Sequence, residues 1–339
     1  MTVADLEVLG PGDSEEAPPT DETGKKITGR SPTRIALDRL RKDKVAVVCA
    51  ITVLILILLG VLAPLINSLL NIKADAPPST PATQYLVLGY PKPETGPPYG
   101  PFNWEHPLGL APNVAYDNLA RLLIGIRTSF AVALIATVLT TLVGVTIGLI
   151  AGFARGAVDK VISFVIDLFL AFPFLLGALA LAPIITNRFA TNQALLGKAQ
   201  FFSLIGVLVV FGWMGLARLI RGQVLSLRER EFVQAARVIG VPTRRILFKE
   251  LLPNMVAPIV VSISLSLPGF VAAEAGLAFL GIGLTNTPSL GQTILRAQGY
   301  FNQYPLYLWA PVVTVMVLVI ALNLLGDSIR DAFDPSTRR

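Results

Sequence analysis

Few side chains in this sequence could do chemistry, and their spacing does not bring them together. There is one histidine, His106, and one cysteine, Cys49. A zinc site draws three or four ligands from His, Cys and carboxylates, and a disulfide needs two thiols, so neither metal nor redox chemistry is expected. No G-x-S-x-G, H-E-x-x-H or G-x-x-x-x-G-K-[ST] pattern occurs. The chain therefore lacks a nucleophile elbow, a metalloprotease helix and a loop to cradle nucleotide phosphates. It is not expected to be an enzyme, and any ATP hydrolysis must come from a partner. Two acids stand out for a different reason. Asp167 and Glu274 lie inside long apolar runs, where an ionised carboxylate facing lipid is costly. Each must face protein or water. The functional reading is a proton relay or a cargo contact; the simpler one is a buried hydrogen bond to a helix end or a basic loop residue. No second carboxylate or histidine is close enough in sequence to extend a relay, which favours the simpler reading.

The elements that would position these residues are membrane spans. Of 339 residues, 53% are hydrophobic and 15% charged, with mean hydropathy +0.65, far outside the range of soluble domains. A net charge of +6 would suit a nucleic-acid binder, but the basic residues flank apolar segments instead of forming a stripe with interleaved aromatics. Apolar runs at 45–66, 128–153, 161–185, 202–219, 256–284 and 306–325 approach bilayer length. The expected fold class is all-α, a polytopic membrane protein with about six transmembrane helices.

Charge and composition divide the rest. Residues 1–30, rich in Pro, Gly, Asp and Glu, predict a disordered cytoplasmic tail. Residues 31–66 form a basic segment and the first span, whose apolar run is too long and too far from the start for a cleaved signal peptide. Residues 67–127, with Pro, Gly, Tyr and Trp, predict an external segment. Residues 128–330 hold a five-helix core, and 331–339 a cytoplasmic tail. The loop at 218–249 carries Arg218, Arg221, Arg228, Arg230, Arg237, Arg244, Arg245 and Lys249, whereas 186–200 carries only Arg188 and Lys198, and 285–305 only Arg296. The positive-inside bias then puts both termini in the cytoplasm.

Two patterns concern packing and docking. Gly144, Gly148, Gly152 and Gly156 recur every four residues, a spacing that lines one helix face and admits another backbone. Within a cytoplasmic loop at 221–255, Phe232, Ala235 or Ala236, and Ile239 recur at helical spacing; Gly240 can end that helix and Pro242 begin the next. A merely solvated basic loop needs no such amphipathic pattern.

This stretch resembles the E-A-A-x-x-x-G loop with a downstream L-P found in permease subunits of ABC importers, with Gln234 in place of the usual Glu and Glu250 where close relatives often have His. The resemblance extends to His106–Gly109 ahead of 121–127, to 159–173, 213–231, 274–281 and 323–331, and is closest to the second permease of the dipeptide, oligopeptide and nickel branch. It implies that Glu231, Gln234, Ala235, Ala236, Arg237 and Gly240 belong to a coupling helix that docks on an ATPase subunit. It also implies a second homologous permease, two ATPase subunits and an extracytoplasmic substrate-binding protein as partners, in the cell (inner) membrane. The chain would hold no cofactor, ATP and magnesium residing on the ATPases. Di- or oligopeptides are the first cargo expected, nickel or oligosaccharides the alternatives. A stand-alone secondary transporter or channel is the rival class; it would call for inverted repeats, of which none is clear, and would leave the amphipathic loop unexplained.

Overall fold

The computed structural model describes residues 32–78, 81–154, 156–285 and 287–334; the tail expected at 1–30 and most of that at 331–339 lie outside the described residues. Helix α1 (Pro32–Lys42) ends in Arg39, Arg41 and Lys42, cations that suit the carbonyl end of a helix. Asp43 then caps α2 (Lys44–Val61), its carboxylate accepting from Val45 N at 2.9 Å. The Ser328 hydroxyl donates to the same carboxylate at 2.8 Å and holds Asp43 below the usual carboxylate range. The start of the first span is thereby tied to the end of the last. The run expected at 45–66 divides at Leu62, where α3 (Ala63–Leu69) begins with a proline in its first turn.

The segment before the second span folds over one end of the bundle. It contains a short antiparallel hairpin, β1 (Leu86–Val87) and β2 (Tyr90–Pro91), and closes around Tyr304. That fully buried side chain accepts from Asn118 Nδ2 at 3.1 Å and sits 2.6 Å and 2.9 Å from the carbonyls of Leu108 and Pro97. Burial pushes the Tyr304 hydroxyl's pKa up. His106 Nδ1 lies 2.8 Å from Asp117 Oδ2, while Asp117 Oδ1 accepts from Ala120 N at 2.9 Å and caps α4 (Asn118–Phe153).

At 36 residues, α4 is the central helix; at 1.5 Å per residue it runs about 54 Å, more than the ~30 Å apolar core of a bilayer. It packs against α2, α7 (Gln193–Gly212), α8 (Met214–Leu227), α10 (Val256–Phe279) and α11 (Leu290–Ala297). Between α4 and α7 the chain does not form the single straight helix expected at 161–185. It makes α5 (Ala157–Ala171) and α6 (Phe174–Asn187), bent by 91°. Proline 173 lacks an N–H and biases the preceding residue out of the helical region, and Phe172 is extended, with ψ 130°. Helices α7 and α8 meet at Trp213 and form one apolar span that begins well before the expected 202. The last span, α12 (Pro305–Phe333), packs on α2 and α10. Among the described residues, five helices are long and apolar enough to cross a membrane, six if the bent pair counts as one span. The lipid side is written on α2, which exposes Val48, Ile51, Leu54 and Ile55.

The glycine stripe lies where α4 meets α8. A Cβ at Gly144 would stand 2.9 Å from the Trp213 carbonyl oxygen, one at Gly148 2.7 Å from that of Ala217, and one at Gly152 2.6 Å from Val224 Cβ. Gly156 departs from the expected stripe: α4 has already ended, and Gly156 takes φ +73° ahead of α5.

Candidate coupling segment and intramembrane acids

Helix α9 (Glu231–Val238) carries the residues singled out at 231–240. Glu231 lies in its first turn and Arg237 in its last, each at the end where its charge opposes the helix dipole. The helix stops through reciprocal bonds, Gly240 N to Arg237 O and Val241 N to Ala236 O, both 3.0 Å. Such a stop requires a left-handed residue just past the helix, and Gly240 has φ +80°. Inward, Val233 is fully buried against Leu149, Ile220, Val224, Ile246, Leu251 and Met255. Outward, Val238 and Ile239 are 88% and 79% exposed, and Ala235 and Phe232 are exposed beside them. Gln234 Nε2 donates to Glu229 O at 3.1 Å; an ionised glutamate, usual in the resembled loop, could not make that bond. The return limb, 243–254, passes through a π-type turn at Ile246–Leu251.

The segment's foundation is a set of arginines. Arg228 Nη1 donates to the carbonyls of Gly152 and Ala154 at 3.0 and 3.4 Å, closing the end of α4. Arg237 sits 4.5 Å over the Phe153 ring, within cation–π range. Arg221 grips Asp159 at the start of α5 through two bonds of 2.7 and 3.0 Å, a bidentate geometry that fixes orientation as well as charge. In the sequence these cations count only toward topology; the acid at position 159, opening a helix after Gly156, was the available sign of a partner.

The two intramembrane acids differ. Asp167 is paired with Arg218, one of the basic residues of 218–249 and here part of α8; the partner is of the kind the simpler reading expected, but the pair is not buried, the Asp167 side chain being 63% exposed. Glu274 is 0% exposed. The hydroxyls of Ser129 on α4 and Ser289, the N-cap of α11, lie beside its carboxyl. Neither carboxyl oxygen has a partner of good hydrogen-bond geometry among the described residues. Ser129 Oγ accepts from Leu290 N at 3.1 Å and Ser289 Oγ from Gln292 N at 3.2 Å, so each hydroxyl keeps its own proton, and a small rotation aims it at the carboxyl. Glu274 thus sits where α4, α10 and α11 meet.

Residues 144–339 match the family described as binding-protein-dependent transport system inner membrane component, and residues 31–86 match the N-terminal TM domain of oligopeptide transport permease C. The chain belongs to this permease family. Among similar proteins is the dipeptide transport system permease protein DppC of Alkalihalophilus pseudofirmus, 32% identical over 95% of this chain and 94% of that protein. The oligopeptide transport system permease protein OppC of Bacillus subtilis is 29% identical over 90% of each chain. A solved structure titled inward facing conformations of the MetNI methionine ABC transporter shares the fold, with TM-score 0.50 and 20% identity over 63% of this chain and 96% of that one. The bent α5–α6 pair, the long α4 and the α9 loop all fall within the family match or straddle its edge, and the capped junction of α1 with α2 lies in the amino-terminal match. As a member of this permease family the chain is a multi-pass membrane protein of the transport subunit, not the ATPase.

Proposed function

We propose that this chain is the membrane-spanning permease of an ATP-driven importer of di- or oligopeptides. It forms the translocation pathway with a second permease, takes cargo from an extracytoplasmic binding protein, and moves in response to two cytoplasmic ATPase subunits. The observation that carries this reading is the α9 hairpin, whose inner face is bound to the span bundle through Val233 while Val238 and Ile239 stand exposed beside small Ala235. An apolar tip on a rigid base is what a lever needs: it can be gripped, and a displacement of the base reaches α4 and α8 directly. Both termini are then cytoplasmic, an orientation that the arginines of 218–249 support. The names of the similar permeases support peptides over other cargo.

The test is substitution of Ala235 by Asp, with this chain purified alongside its co-expressed partners. Ala235 is exposed in the isolated chain, so the variant should fold and insert normally. At a closely packed interface an unpaired charge costs on the order of 2 kcal/mol or more, so the ATPase subunits should be lost from the purified complex. Their retention at wild-type ratio would sink the docking reading.

A further inference from the structure

A cavity of ≈ 640 Å³ lies between α4, α7 and the segment that follows α10, at the end of the bundle opposite α9. Ile124, Phe201, Phe202 and Leu284 give it apolar walls, and Arg127 and Lys198 line it with them. Both cations are exposed, and neither side chain has an ion pair or hydrogen bond among the described residues. No Asp or Glu occurs anywhere in α4, in α7 or in residues 280–289. This contrasts with the other end, where Arg218 and Arg221 face Asp167 and Asp159. Two positive charges beside one apolar cavity, without a counter-charge on any lining element, form a site whose potential an incoming anion relieves.

The chemistry selects among cargo classes. A bare nickel cation would be repelled, and an uncharged oligosaccharide would leave both cations unused. A peptide's C-terminal residue offers a carboxylate, which a guanidinium can hold through two parallel bonds, next to a side chain that can enter an apolar wall. We propose that Arg127 and Lys198 form an entry subsite that receives the C-terminal carboxylate of a peptide leaving the external binding protein. The proposal rests on the peptide-importer reading above, which puts this end of the bundle outside, and it adds the group recognised and the residues that recognise it.

The experiment uses the whole importer in proteoliposomes, with a peptide and its C-terminal amide chosen so that the external binding protein holds both equally. Arg127→Gln with Lys198→Gln should lower uptake of the free acid about tenfold, while uptake of the amide stays within about twofold, showing that the complex is assembled. Lys198→Glu, which changes the charge of the site by the same amount, should likewise depress the acid and spare the amide. Equal losses for the two peptides, or no loss for either, would overturn the subsite and leave the two cations as interfacial anchors. A wild-type complex that imports neither peptide would overturn the peptide reading itself, and the subsite with it.

Discussion

Gly240 shows how one residue can be required for its backbone alone. A Cβ there meets nothing within 4 Å, yet φ is +80°, so any penalty on substitution is conformational and not steric. L-residues other than Asn and Asp resist this region by roughly 1–2 kcal/mol, β-branched ones more. Coupled ATP hydrolysis in the reconstituted complex should therefore fall in the order Gly, Asn, Ala, Val at position 240. Insertion should remain unchanged, because the stop bonds lie outside the spans. A flat series, with Gly240→Val at wild-type coupling, would mean that the turn does not orient α9. The need for Gly240 was legible in the sequence because a helical pattern, a glycine and a proline follow one another. The partners of Arg221 and Arg228 and the surroundings of Glu274 were not, since each brings together positions apart in the chain and no local periodicity records it. Glu274 in particular is intelligible only once α11, a short helix after the fifth apolar run, is seen to bring Ser289 to it.

At the scale of elements, spans were legible wherever a long apolar run stood alone, and less so where the chain breaks a run without adding charge. The bend between α5 and α6 is such a case: the run remains apolar through it, and only Pro173 marks it. The early start of α7 was missed for a different reason: its first turns carry Gln193, Lys198 and Gln200 and pass for loop. The glycine stripe gives the sharpest test of an element contact. At Gly148 an added side chain meets the Ala217 carbonyl and Ile220 Cβ, both at 2.7 Å; backbone cannot yield as a flexible side chain can. Gly148→Leu should thus separate α4 from α8 and cost about 3 kcal/mol or more, read as a lower midpoint in detergent thermal unfolding. Gly222 of α8 is the control, with nothing within 4 Å: Gly222→Ala should be neutral or raise the midpoint by improving helix propensity, by roughly 0.5–1 kcal/mol. Equal behaviour of the two substitutions would show that close approach of α4 and α8 does not limit stability.

At the scale of the whole molecule, orientation decides which surfaces can meet which partners. The cap built on Tyr304 and the Arg127–Lys198 cavity belong to one end of the bundle, and α9 with its partnered arginines to the other. A bilayer between them makes the two ends mutually inaccessible. With Cys49 replaced by Ser, a single cysteine at Trp104, which is 78% exposed, should react in intact cells with a membrane-impermeant maleimide. A cysteine at Arg244, also exposed, should react only after permeabilisation. Cys49 itself is buried, so its removal should not disturb either surface. The opposite labelling would put α9 outside, out of reach of any cytoplasmic ATPase, and would turn the uncompensated cations toward the cytoplasm, where imported cargo leaves instead of entering. The coupling and entry-site readings would then fall together, although the fold and family would stand. Labelling of both positions from outside would instead require an even number of crossings between them. That parity needs α5 and α6 to turn back on one side of the membrane, so the same two cysteines also decide whether the 91° bend is a broken span or a re-entrant loop.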